Sequence, residues 1–83
     1  MYRIIIDRRA GKEIESLPDT ILQSIIDVIH GLRSNPRPHG VKKLINRDGW
    51  RIRVRDHRIL YTVDDARKTI SIYRVKHRKD AYR

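Results

Sequence analysis

The fold is decided by one stretch of the chain, Trp50-Arg51-Ile52-Arg53-Val54-Arg55-Asp56-His57-Arg58-Ile59-Leu60-Tyr61-Thr62-Val63. Its first half alternates between apolar residues and arginines, and a period of two predicts a β-strand with one apolar and one basic face. A polar turn at Asp56-His57 then lets the chain return as a second strand that carries Ile59, Tyr61 and Val63 on one face. This hairpin offers its apolar face to a core. Its other face is a row of arginines, Arg51, Arg53, Arg55 and Arg58.

The residues before this hairpin predict one strand and two helices. Ile4, Ile5 and Ile6 form a short β-branched run that favours a strand. Apolar residues spaced by four and three then indicate a short amphipathic helix that ends at Pro18. A second, broader apolar stripe from Ile21 to Leu32 indicates another helix, and the two prolines between Ser34 and Gly40 make that segment a connector.

The residues after the hairpin predict one more strand, at 69–75, entered through a polar loop at 64–68. The fold class expected is α+β, a four-stranded antiparallel sheet in the order β-α-α-β-β-β with an N-terminal helical hairpin packed on one face. At 83 residues the chain is expected to form a single domain, residues 1–83. No helix remains to cover the other face of the sheet, where the arginine row points.

Charge and composition narrow the class of function. The formal net charge is +10, of which residues 1–49 carry +3 and residues 50–83 carry +7. Such a field attracts nucleic acid, an anionic membrane or an acidic protein. The chain has no cysteine and four scattered histidines, a pattern that predicts no metal site and no cofactor. No apolar run approaches the roughly 20 residues of a membrane span, so we expect a cytoplasmic protein with no membrane partner.

The sequence resembles the RelE/ParE superfamily of toxins from type II toxin–antitoxin modules, and the RelE branch in particular. The resemblance covers essentially the whole chain and includes the Leu17-Pro18 break and the proline-rich connector that leads into Val41-Lys42-Lys43-Leu44. Its most specific portions are the stretch from Trp50 to Tyr61 and the stretch from Tyr73 to Tyr82.

The resemblance implies an activity, partners and a set of site residues. RelE toxins enter the ribosomal A site and cut mRNA there, and a cognate acidic antitoxin neutralises them. Residues matching the RelE site are Arg51, Arg53, Arg58, Arg78 and Tyr82. We further expect RNA contacts from Arg55, Arg74, Lys76 and Lys79. The chain departs from the best-known RelE enzymes at positions 51 and 53, where those enzymes carry lysine.

Metal-independent cleavage of RNA uses the 2′-hydroxyl as the nucleophile on the adjacent phosphate, which leaves a cyclic phosphate. The phosphoryl oxygens need positive charge, and the arginines can supply it through paired N–H donors. Arginine is effectively never deprotonated, so it grips phosphate but is a poor general base. Proton transfer is expected from His77 or Tyr82, with His57 as the weaker candidate.

Three functions remain open at this point. The first is the ribosome-dependent mRNA endoribonuclease that the RelE resemblance implies. The second is a gyrase inhibitor of the ParE type, which needs no ribonuclease site. The third is a basic RNA-binding or ribosome-binding module without catalysis, because two lysine positions carry arginine.

Overall fold

The computed structural model describes residues 1–81, which form one mixed β-sheet and three helices. In chain order the elements are β1 (Arg3–Ile6), α1 (Arg8–Glu15), α2 (Asp19–Leu32), β2 (Lys42–Lys43), β3 (Trp50–Val54), β4 (His57–Asp64), β5 (Thr69–His77) and α3 (Arg78–Ala81). The predicted strand, helical hairpin and three consecutive strands are all present. The α+β class is confirmed.

The sheet has five strands in the spatial order β1-β5-β4-β3-β2. Strands β2 to β5 are an antiparallel meander, whereas β1 pairs with β5 in parallel. The expectation of four antiparallel strands was therefore wrong in strand number and in the direction of β1. Six connections separate β1 from β5, and a chain that reverses at each of an even number of connections returns to its starting direction. The added strand is β2, a two-residue edge that pairs with the start of β3.

The hairpin of β3 and β4 turns one residue earlier than predicted. Val54 pairs with His57, so the turn consists of Arg55 and Asp56, and Arg55 takes a left-handed φ of 54°. At the other end of the hairpin, Gly49 immediately precedes β3. Its φ is 127°, and a Cβ there would lie 2.8 Å from the carbonyl oxygen of Tyr61, so only glycine lets the start of β3 approach β4 this closely. At the turn, Arg55 leaves the strand, and its backbone oxygen accepts a hydrogen bond from Arg53 Nε at 3.1 Å.

The core lies between the sheet and the helices α1 and α2. The alternation predicted for β3 and β4 is confirmed, because Val54, Ile59 and Tyr61 are buried on one face. The Tyr61 hydroxyl donates to the backbone oxygen of Pro36 at 2.7 Å, which attaches the proline-rich connector to the core. The buried apolar residues are Ala10, Ile25, Ile29, Leu32, Val54, Ile59, Tyr61, Ile70, Ile72 and Val75.

A β-bulge in β5 changes which side chains face the core. Tyr61 pairs with Ile72 and Leu60 pairs with Arg74, so Tyr73 is the additional residue opposite this step. Arg74 turns toward α1, where its guanidinium meets Glu13 at 3.0 Å, and both side chains are only about one-fifth exposed. Glu13 also accepts the backbone N–H of Val75 at 2.9 Å. One carboxylate thus binds both the Arg74 guanidinium and the Val75 N–H.

Within residues 1–81, no helix is both long enough and apolar enough to cross a membrane.

We expect Glu13→Ala to lower the free energy of unfolding by about 3 kcal/mol, because it leaves a partly buried guanidinium and a strand N–H without an acceptor. Glu15→Ala, an exposed position on the same helix, is the matched control and should change stability by less than about 0.5 kcal/mol. Adding Arg74→Met to Glu13→Ala should recover part of the loss. Equal urea midpoints for wild type and Glu13→Ala would contradict this account.

Replacing Gly49 or Gly31 by alanine should change the free energy of unfolding in opposite directions. Gly49→Ala forces a positive φ on alanine and a contact with the Tyr61 carbonyl, so we expect a loss of more than about 1 kcal/mol. Gly31 lies in α2, and no heavy atom lies within 4 Å of a Cβ built there. Gly31→Ala should therefore raise stability by roughly 0.5–1 kcal/mol. Thermal unfolding of the two variants measures both effects.

Candidate nucleic-acid interface

The face of the sheet that the helices leave open carries a groove of cationic side chains. Arg53 of β3 stands directly opposite Arg58 of β4, and Arg51 stands opposite Lys42 of β2. Lys42, Arg51, Arg53 and Arg58 line one depression together with Gly40. Like charges that face each other across strands repel. An anion bound between them removes that repulsion, so the groove is suited to phosphate.

Lys76 completes this basic groove, which we define as Lys42, Arg51, Arg53, Arg58 and Lys76. Lys76 is the cross-strand partner of Arg58, and both line a second depression beside Arg51. The groove thus takes side chains from β2, β3, β4 and β5. The sequence placed Arg51, Arg53, Arg58 and Lys76 at the site, and the structure brings all four together.

Lys42 was missed by the sequence analysis. The only signal was its position before Leu44 in a segment too short to show a strand period. Its place in the groove comes from pairing with Arg51, and a two-residue edge strand is formed by tertiary structure.

His77 lies on the opposite side of the sheet from the basic groove. It pairs with His57, and both share the face of Ile59 and Val75. The two imidazoles meet edge to face, with ring centroids 5.1 Å apart. Burial is the main cause that lowers the pKa of His57, and the neighbouring His77 adds to it while Asp56 opposes it. The structure therefore does not bring the predicted proton-transfer histidines to the arginines.

The C-terminal residues follow this histidine pair and fold against the hairpin turn. The Arg78 backbone N–H donates to the Asp56 carbonyl at 2.7 Å, and its Nε lies 3.9 Å from an Asp56 carboxylate oxygen. The Lys79 backbone N–H donates to Nδ1 of His77 at 3.2 Å, and the Lys79 side chain is exposed. Tyr82 lies outside the described residues.

Two other predicted RNA contacts occupy different positions. Arg74 is bound to Glu13 of α1 at the edge of β5, so a carboxylate already occupies its guanidinium. Arg55 lies exposed in the hairpin turn beyond the end of the groove. Within residues 1–81, no three His, Asp or Glu side chains are grouped so as to hold a metal ion.

The segment between β2 and β3 covers part of the open face. The Arg47 guanidinium stacks on the ring of Tyr73, 4.8 Å from its centroid. Leu44 lines the second depression, and its N–H donates to the Gly49 carbonyl oxygen at 3.0 Å across the loop.

Comparisons with known proteins agree with this architecture. Residues 4–82 match the sequence model of the family described as the ParE toxin of type II toxin–antitoxin system, parDE. The chain is also 32% identical to the toxin RelG of Mycobacterium tuberculosis, over 99% of this chain and 97% of that one. The chain belongs to the RelE/ParE toxin superfamily. It is a toxin of the type II toxin–antitoxin class.

Solved structures of the RelE/ParE superfamily show the same fold. The archaeal RelE–RelB complex from Pyrococcus horikoshii superposes with a TM-score of 0.83 at 30% identity, over 93% of this chain and 94% of that one. The toxin–antitoxin complex RelBE2 of M. tuberculosis gives a TM-score of 0.80 at 27% identity, over 92% of this chain and 96% of that one. The five-stranded sheet is thus a RelE-like fold.

The depressed pKa of His57 predicts a stability that falls on acidification. Between the folded-state pKa and the ordinary value of 6.5 the unfolded chain binds more protons, so the free energy of unfolding should decrease as pH drops from 7.5 to 5.5. His57→Gln should flatten this dependence, whereas His39→Gln, in the exposed connector, should keep it. Urea titrations at several pH values measure the slope. A wild type whose stability does not change over this range would refute the assignment.

Proposed function

We propose that this toxin is a ribosome-dependent mRNA endoribonuclease that cleaves codons in the A site. The observation that carries the proposal is the convergence of Arg51, Arg53, Arg58 and Lys76 from three adjacent strands on one open face. Guanidinium groups bind the non-bridging phosphate oxygens through paired donors and stabilise the charge that develops as the 2′-hydroxyl attacks. The products are a 2′,3′-cyclic phosphate and a free 5′-hydroxyl.

Proton transfer in this proposal is assigned to the lysines of the groove. The arginines that replace the RelE lysines at positions 51 and 53 cannot give up a proton under ordinary conditions. Lysine is a residue type that acts as a general acid or base, and the groove holds Lys76 and Lys42 beside Arg51 and Arg58. Tyr82 remains a second candidate for this role. His77 is not a candidate for proton transfer, because the sheet separates it from the groove.

The proposed protein partner is an acidic antitoxin. The solved relatives named above are RelE–RelB and RelBE2 complexes, which supports an antitoxin for this chain. The net charge of +10 attracts an acidic segment. The structure also leaves an apolar groove between β1 and the helical hairpin, where Ile6 and Ile26 are 46% and 44% exposed. An amphipathic antitoxin segment would cover that surface.

The match to the ParE toxin family model supports an alternative function, that of a gyrase inhibitor. Such a toxin would cause gyrase-linked DNA breaks and leave mRNA intact. The basic groove would then serve binding alone.

The test compares wild type with groove variants in a ribosome-programmed mRNA cleavage assay. Arg53→Ala removes phosphate donors and should lower the cleavage rate by about 10²-fold. Lys76→Ala should lower it by about 10²- to 10⁴-fold if Lys76 transfers the proton. Arg67→Ala is the matched control, because Arg67 is 84% exposed in the β4–β5 turn, away from the groove, and it should cleave normally.

Either of two results would refute the proposal. If wild-type toxin leaves ribosome-bound mRNA uncut while cells expressing it accumulate gyrase-linked breaks, the alternative is correct. If Arg67→Ala loses as much activity as Arg53→Ala, the groove is not the site.

A further inference from the structure

The second depression on the open face differs from the first in having apolar walls. Leu44 and Leu60 line it, and Arg51, Arg58 and Lys76 surround them. The first depression, by contrast, is lined by Gly40 and four cations. Arg51 and Arg58 contribute to both, so the two depressions adjoin. The first depression is suited to a phosphate. The second offers an apolar surface to a group attached to that phosphate.

Tyr73 adjoins this apolar surface. The β-bulge places it opposite the step between Leu60 and Tyr61, on the face that Leu44 covers. A Cβ on Gly49 would lie 3.3 Å from Leu44 Cδ1 and 3.5 Å from the Tyr73 hydroxyl oxygen, so both side chains border the same glycine. The Tyr73 hydroxyl is buried and has no hydrogen-bond partner among the described residues. An aromatic ring whose buried hydroxyl has no partner among residues 1–81 therefore lies near Leu44, which also lines the second depression.

Arg47 covers the ring of Tyr73 with its guanidinium, 4.8 Å from the centroid. Arginine planes and nucleobases stack on aromatic rings in the same way. The loop that carries Arg47 is attached lightly, since Ile45 is 85% exposed and Arg47 is exposed as well. Arg47 thus occupies a stacking position from which another flat group can displace it.

We propose that Leu44, Leu60 and Tyr73 form a nucleobase-binding subsite that Arg47 covers in the free toxin. The base of a nucleotide whose phosphate lies in the basic groove would replace the Arg47 guanidinium on Tyr73. Successive side chains on one face of a strand are about 7 Å apart, and Arg58 and Leu60 are such a pair. This distance is comparable to the separation of a base from its phosphate in a nucleotide. The inference deepens the proposed function, because it takes RNA as the ligand and adds a contact to the base.

The test measures binding of two uncleavable 2′-O-methyl trinucleotides, one with three bases and one with an abasic central position. The ratio of their affinities isolates the base contribution, since both carry the same phosphates. In wild type the base-bearing probe should bind more tightly. Tyr73→Leu should reduce the ratio by roughly 5- to 100-fold, and Tyr73→Phe, the matched control, should preserve it. Arg47→Gln lowers phosphate attraction equally for both probes but uncovers the ring, so the ratio should increase.

Three outcomes would overturn the subsite. They are a wild-type ratio near one, an unchanged ratio in folded Tyr73→Leu, and no increase in Arg47→Gln. The last remains decisive if Tyr73→Leu fails to fold. The cleavage assay is read separately. A base-dependent ratio without mRNA cleavage would refute the endoribonuclease and leave the subsite, whereas cleavage with a ratio near one would refute the subsite alone.

Discussion

The structure depends on how one carboxylate, that of Glu13, completes the edge of β5. Strand β1 ends at Ile6, so within residues 1–81 the part of β5 beyond Ile72 has no strand neighbour on that side. Glu13 takes the place of the missing strand by accepting the Val75 N–H and pairing with Arg74. With these groups satisfied, β5 continues as a regular strand beyond the bulge at Tyr73. Val75 enters the core, and Lys76 points to the basic groove.

The cationic side chains on the open face of the sheet repel one another in the absence of an anionic ligand. Arg58 has cationic neighbours on both sides, Arg53 on β3 and Lys76 on β5. Among residues 1–81, no acidic side chain lines either of the two depressions in which these groups lie. Charge of one sign raises the free energy of the folded chain and is relieved by an anionic ligand. Acidic side chains form salt bridges outside the groove, between Glu13 and Arg74 and between Asp65 and Arg37.

Alternation along β3 and β4 revealed the core face and three members of the groove, because a strand period of two assigns faces directly. The same rule failed where the period was interrupted. The bulge in β5 turned Arg74 toward α1, and no pattern in the residues marked the position of that extra residue. Lys42 joins the groove because it lies in β2, a two-residue strand that forms only by pairing with β3. His77 shows the limit of reasoning from sequence proximity, since it adjoins Lys76 in the chain yet lies on the other side of the sheet.

The parallel pairing of β1 with β5 has a consequence for how the chain folds. The first strand and the last are hydrogen-bonded neighbours, with Arg3 beside Thr69. Contacts between opposite ends of a chain cost the most loop-closure entropy and form slowly. During synthesis β1 cannot pair with β5 until the residues up to β5 have been made. The groove shares β5 with this pairing, so neither the groove nor the β1 pairing can form before β5 has been made.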